Sequence, residues 1–288
     1  MQLLRACVGE TIGTFLMVLF GTGVVATAVL TGAQMGLWQV AVVWAFGVAL
    51  AIYVTAGVSG AHLNPAVSLA FAIYRHHDFP PHRLFAYWAA QVLGGVLAGL
   101  AVLGAFGPFI DRFERENGLV RGEPGSEHSA MVFGEYFPNP DVYGTDEEAK
   151  SLISPAGAAF IEGFGTAILV LIIFALTDRR NAAIPTRGIT PLLIGFTIAV
   201  LISLFAPLTQ GGWNPARDFG PRIVAYFAGW GSVAIPGPSS GFWVYIVGPL
   251  IGGPLGATTY EFLIRPNLRR EREPRSRSDA TTESQEPD

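Results

Sequence analysis

The chain has 288 residues, 51% of them hydrophobic and only 14% charged, with a mean hydropathy of +0.43. The charged share lies far below the roughly 25% of an ordinary soluble domain, and the formal net charge of −4 offers no basic footprint for nucleic acid. The single cysteine, Cys7, excludes an intrachain disulfide and reads as a small apolar helix residue.

The charges are clustered, and six runs between the clusters carry few or none. The first predicted helix covers about 5–30. It is longer than the apolar core of a secretory signal and lacks a small-residue cleavage site, so a retained span is expected. The second helix covers 37–58. A short apolar segment, 64–74, is too short to cross a bilayer, and a third helix follows at 84–107. The polar insert 108–154 carries ten acidic residues against four basic, with Pro-Gly and Asn-Pro turn signals. It is long for a loop and is expected to fold over a vestibule. The fourth helix is read at 155–176, the fifth at 189–208, a second short segment at 214–227 and the sixth helix at 242–264. The tail 265–288, rich in Arg, Glu, Ser and Pro, is expected to be disordered, with arginines available to anionic lipid.

Each long run suits the ~20 helical residues that cross ~30 Å of hydrocarbon. The fold class is therefore an all-α polytopic membrane protein with six transmembrane helices and two re-entrant half-helices. With six spans, Arg5, Arg75, Arg83, Arg179, Arg180, Arg187 and the tail arginines share one side, which the positive-inside rule makes cytoplasmic. Both termini then lie inside a plasma or inner membrane, and the insert lies outside.

The stretch Gly60-Ala61-His62-Leu63-Asn64-Pro65-Ala66-Val67 has an echo in Gly211-Gly212-Trp213-Asn214-Pro215-Ala216-Arg217-Asp218. Glu10 and Glu162 open similar segments in the first and fourth helices at nearly the same offset. The chain thus divides into a first repeat, 1–107, the insert, 108–154, a second repeat, 155–264, and the tail. Three spans per repeat turn the second upside down relative to the first. Each Asn can then cap a half-helix that starts near the midplane, with Pro at the first helical position, where its missing N–H costs nothing. The irregular loop before it is tolerated only where it lines a wet cavity. Two half-helix N-termini facing one point disfavour cations and protons. Glu10 and Glu162, charges within spans, are expected to accept hydrogen bonds from the backbone of the re-entrant loops, a proton relay being the other possibility. His62 is read as a loop-packing histidine with some pore exposure, and a pH gate is the sharper alternative. Gly94, Gly95 and Gly99, with Gly248, Gly252, Gly253 and Gly256, suit close helix contacts. His76, His77 and His82 lack carboxylate or thiol support, and no metal site is expected.

With these paired triplets, the chain from about 5 to 265 resembles the major intrinsic protein family, the aquaporins and glycerol facilitators. The resemblance implies one pore per subunit, a homotetramer, passive permeation of water or small uncharged solutes, and no cofactor. Within it, Arg217 matches the arginine of the outer constriction, a role suited to a guanidinium that repels cations and donates to hydroxyl oxygens. Asp218 resembles the aspartate that marks the glycerol branch, and Arg222 its basic companion; Asp218 is expected to pair with a nearby arginine. Trp44 matches the aromatic wall, which suits the carbon backbone of a polyol. Gly57–Leu63 and Phe227–Gly231 also look like the glycerol branch.

Ile202 and Gly211 depart from the best-studied bacterial glycerol facilitators, which carry glycine and an aromatic there. The set Trp44, Ile202, Gly211, Arg217 is closer to that of one group of plant nodulin-like intrinsic proteins. Tyr245-Ile246 departs from the family's Pro-Leu. The function expected is a passive channel for glycerol and related small uncharged solutes, and for water, that excludes ions and protons. The alternatives are a channel mainly for water or for urea, lactic acid or metalloid hydroxides. A secondary transporter would need ion-binding side chains at midplane, where only Glu10 and Glu162 qualify. No constellation suited to catalysis is present in the sequence, so no enzyme is expected.

Overall fold

The structure is a computed structural model that describes residues 1–34, 36–184 and 186–268, except for the side chain of Arg187. The expectation of a disordered tail falls outside the described residues beyond 268. The described residues form helices and loops without strands. The long helices are α1 (Gln2–Thr31), α2 (Leu37–Ser59), α4 (Leu84–Glu116), α8 (Pro155–Thr177), α9 (Thr190–Thr209) and α11 (Val244–Thr259). Two short helices lie between them at the predicted half-helix positions, α3 (Pro65–Tyr74) and α10 (Pro215–Ala225). The insert adds α5 (Glu127–Ala130), α6 (Pro140–Tyr143) and α7 (Glu147–Ser151).

Five of the helices are long and apolar enough to cross a membrane: α1, α2, α4, α8 and α9. The sixth predicted run is less regular. Pro249 and Pro254 lie inside the 16-residue α11, and the chain continues as a π turn, Tyr260–Ile264, and a tight turn, Arg265–Asn267. The predicted end of the third helix at 107 is also corrected. Pro108 does not break α4, which runs on to Glu116. Its last turns are held from the side: Ile110 is fully buried, and Glu114 and Asp111 pair with Arg121 at 2.8 and 2.7 Å. The insert proper therefore begins near 117.

Helices α1, α2 and α4 pack together, as do α8, α9 and α11, and α2 meets α9 between the two groups. The half-helices cross over. Helix α3 lies chiefly against α11, and α10 chiefly against α4. Small residues make this possible. A Cβ on Gly95 would stand 2.5 Å from the Ala216 carbonyl oxygen, and one on Gly253 would stand 2.8 Å from that of Ala66. On Gly252 and Gly256 a Cβ would overlap the backbone of Gly163 and Ala167 in α8. The predicted glycine stripes are thus the contact lines of the bundle. Outside the bundle, Leu4, Phe85, Phe160, Leu204 and Phe262 are among many large apolar side chains left exposed. That is the reverse of a water-soluble surface.

Candidate functional site

Both half-helices begin in the way their sequences dictate. The Asn64 Oδ1 accepts the Ala66 N–H at 2.8 Å, and the Asn214 Oδ1 accepts those of Ala216 at 3.1 Å and Arg217 at 3.3 Å. Pro65 and Pro215 occupy the first helical positions, where no N–H is needed. Each carboxamide also reaches across. Asn64 donates through Nδ2 to the Trp213 carbonyl at 2.9 Å, and Asn214 to the Leu63 carbonyl at 2.8 Å. One N–H of each amide is spent on the opposite loop, which leaves one for other acceptors.

The loops leading into these caps carry left-handed residues that are not glycine: Ala61 and Leu63 at φ 50° and 52°, Gln210 and Trp213 at 60° and 43°. Such conformations persist only where surroundings fix them. The buried carboxylates supply that. Glu10 accepts the N–H of His62 at 3.0 Å and of Leu63 at 2.7 Å, and also Gln91 Nε2 at 2.7 Å. Glu162 accepts Gly212 N–H at 3.2 Å, Trp213 N–H at 2.7 Å and the Thr209 hydroxyl at 2.7 Å. The geometry is that of the expected loop anchors. His62 packs among Phe71, Phe79 and Tyr87, with Nδ1 3.1 Å from Ser68 Oγ.

A cavity of about 420 Å³ runs between the helices and past both loops. Trp44, Ile202, Gly211 and Arg217 all line it, as do His62 and Asn64. The Arg217 guanidinium lies over the Trp44 ring, with Cζ 4.7 Å from the centroid. The Trp44 ring itself rests on Gly21, where any Cβ would overlap it. A cationic donor and an aromatic face thus share one stretch of wall. Asp218 is fully buried and does not touch the lumen. It accepts Arg222 Nε at 2.9 Å and Nη2 at 2.8 Å, a two-pronged pair.

Sequence reasoning missed two residues. Glu135, from the insert, lines the same cavity and forms an ion pair with Arg217. Its backbone N–H donates to Asp218 at 2.7 Å, and its carbonyl accepts from Arg222. Burial, partly offset by the attraction of Arg217, pushes its carboxyl up to about 7. The available signal was that Glu135 is the lone charge within Ser129–Pro140. Asn139 reinforces the attachment by donating to the Ala206 carbonyl at 3.0 Å, and Gln210 accepts the Tyr136 N–H at 2.6 Å. The insert therefore contributes to the cavity wall, through Met131, Glu135, Asn139 and Asp141.

The second missed residue is Trp213. A Cβ on Gly211 would stand 2.5 Å from its Cη2, and one on Gly165 would overlap its indole nitrogen. Gly211 also has φ 85°. The aromatic absent at position 211 is thus excluded by an aromatic two residues on.

At the opposite end of the bundle, Arg75 binds Glu261 at 2.6 Å, while Arg265 binds Glu261 at 2.6 Å and Asp178 at 2.9 Å. Tyr260 donates to Asp178 at 3.1 Å. These groups tie the end of α3 to the ends of α8 and α11. Among the described residues, no group of three or more His, Cys, Asp or Glu could hold a metal ion.

Comparison with known proteins agrees with this geometry. The profile of the family described as Major intrinsic protein matches residues 1–260. The chain is 41% identical over 269 residues to the glycerol uptake facilitator protein of Pseudomonas aeruginosa, covering 93% of this chain and 91% of that protein. It is 39% identical over 264 residues to the propanediol uptake facilitator of Citrobacter freundii, covering 91% and 93%. Among solved structures it resembles the aquaglyceroporin from Plasmodium falciparum, with a TM-score of 0.77 and 26% identity over 92% of this chain and 98% of that one.

Proposed function

This chain belongs to the major intrinsic protein family, and on that premise we propose that it is a passive transmembrane channel for glycerol and closely related small polyols. The observation that carries the reading is the Arg217 guanidinium over the Trp44 ring on one cavity wall. A polyol has a hydroxyl edge and a carbon edge. The guanidinium donates to the first, and the indole face shields the second from water's competition. The relatives named for glycerol and propanediol uptake support the same solute class.

Asn64 and Asn214, with one free amide N–H each, serve as the midpoint donors. Pro65, Ala66, Pro215 and Ala216 start the half-helices behind them. Trp44, Ile202, Gly211 and Arg217 form the filter, Asp218, Glu10 and Glu162 support the loops and the filter from behind, and His62 packs the first loop at the cavity wall. Residues 1–107 and 155–264 act as inverted halves of one pore, with the insert outside and both termini in the cytoplasm of a plasma-membrane protein. The exposed apolar flanks meet lipid and sister subunits of a homotetramer. Water passes with the solute, while the two half-helix N-termini exclude cations and protons. Passage through such a channel involves no chemical step and no cofactor.

The test is stopped-flow light scattering on proteoliposomes under glycerol, urea and sucrose gradients. Fast re-swelling in glycerol, none in sucrose, and no need for a proton or sodium gradient are the expected results. Glycerol entry at the empty-liposome rate with fast water flow overturns the polyol assignment.

A further inference from the structure

We propose that Glu135 is a specificity-determining residue of this pore, one that neutralises the Arg217 charge and sets a hydrogen-bond acceptor beside its donors. The inference rests on the channel reading above and extends it to a residue of the insert.

The geometry leaves Glu135 little choice of role. Its side chain is 2% exposed, lines the pore cavity, and meets the Arg217 guanidinium directly. It is not a mobile loop carboxylate that happens to fall there. Its N–H is bound by Asp218 and its carbonyl by Arg222, so half-helix α10 grips the backbone on both sides of the side chain that faces its own Arg217. A cation alone in a dry constriction attracts anions and binds hydroxyl oxygens tightly. A solute bound too tightly leaves slowly. A carboxylate on the same guanidinium cancels the net charge and occupies some of its five N–H donors. What remains is a neutral donor–acceptor pair. Such a pair suits hydroxyl groups, which both give and accept, and it holds no small anion.

The charged state of the pair is set by everything packed around it. Arg217, Asp218 and Arg222 approach from α10, Glu162 from α8, Tyr245 from α11, and Tyr136 from the insert itself. With the carboxyl pushed up to about 7, it is ionised above that pH and neutral below it. Neutralisation frees the Arg217 donors and exposes its charge. Glycerol flux should therefore fall as pH drops through about 7, while permeability to small anions rises.

The experiment compares wild type, Glu135→Gln and Glu135→Asp in proteoliposomes between about pH 5.5 and 8.5. Glycerol flux is read by light scattering and chloride by an entrapped quenched fluorophore. Wild type should show a step near pH 7 in both. Glu135→Gln should be flat, fixed at low glycerol flux, with chloride entry raised about tenfold, the effect of ~1.4 kcal/mol. Glu135→Asp should restore chloride exclusion and a pH step. A wild-type channel that passes glycerol fast but admits chloride freely at about pH 8.5, where the pair should be neutral, overturns the proposal, whether or not Glu135→Gln folds. So does a Glu135→Gln channel that matches wild type in both solutes. Wild-type glycerol flux no faster than empty liposomes removes the channel reading itself, and this proposal with it.

Discussion

Asn64 and Asn214 hold each other's loops: each donates its side-chain amide to the carbonyl of the residue just before the other, at 2.9 and 2.8 Å. Either alanine substitution removes a helix cap, worth about 1 kcal/mol, and one of the two braces. Because both braces join the same two loops, Asn64→Ala and Asn214→Ala should each lower the melting temperature in detergent. The double variant should fall short of the summed loss. A strictly additive double variant, followed by tryptophan fluorescence, would show the loops to be independent.

Glu10 and Glu162 each satisfy two backbone N–H groups of a loop. Glu162→Ala strands those donors in a dry interior at about 1–3 kcal/mol each. Little monodisperse protein should survive solubilisation. Glu162→Gln keeps one acceptor oxygen and should fold with a modest loss. If Glu162→Gln folds normally but changes proton flux, the group is a relay and the anchoring role is wrong.

Gly211 and Trp213 compete for one volume. Gly211→Phe should be poorly folded, both from the clash and from its φ of 85°. Adding Trp213→Ala should recover folded protein and shift the ratio of water to glycerol permeability. Size-exclusion yield and proteoliposome flux report the two effects separately. Recovery of fold from Gly211→Phe alone would mean that Trp213 moves aside freely.

Arg217→Ala removes the partner of a buried carboxylate. Breaking such a pair costs about 3–5 kcal/mol, and Glu135 moderates that loss by taking up a proton. Glycerol should still pass, but below about pH 7, where Glu135 is neutral and the guanidinium carries a net charge, the wall loses its fixed cation. Proton leak, measured with an entrapped pH dye, should rise at least about tenfold over wild type. Unchanged proton exclusion would leave the half-helix N-termini as sufficient.

Asp178 gathers the far end of the bundle. Burial pushes its carboxyl up, but the Arg180 N–H, Arg265, Arg75 and Tyr260 outweigh that and hold it below its usual value of 3.8. A depressed carboxylate contributes stability that is present above the unfolded value and lost as pH falls through the lower folded one. Asp178→Asn should therefore lower the melting temperature at pH 7 and narrow its gap to wild type below about pH 4. An equal gap at every pH would assign the loss to packing.

Much of this molecule was legible because its signals are one-dimensional. The spans are apolar runs, the half-helices carry Asn-Pro-Ala at their starts, and Glu10 and Glu162 are charges with no solvent to explain them. Local pattern failed where the deciding contact came from elsewhere in the chain. The third helix reads as ending at 107, where the apolar run stops, but Arg121, ten residues beyond Asp111, holds the further turns. Gly211 looked like a missing ring until the volume of Trp213 was placed beside it. Glu135 sat in a segment read only as a cover, because a sequence does not say which loop residue turns into a pore.

The crossed packing of the half-helices also fixes an order of assembly. Helix α3 caps its loop early in the chain, yet it rests on α11, and Asn64 finds its acceptor at Trp213. Glu135 likewise waits for Asp218, Arg217 and Arg222. A nascent chain that has delivered its first three spans and its insert to the membrane therefore has no finished pore and no docked insert. The insert gains its partners once α10 has emerged, and the packing around α3 is complete only with α11. A chain that stops before α11 leaves α3 without the helix it chiefly rests on.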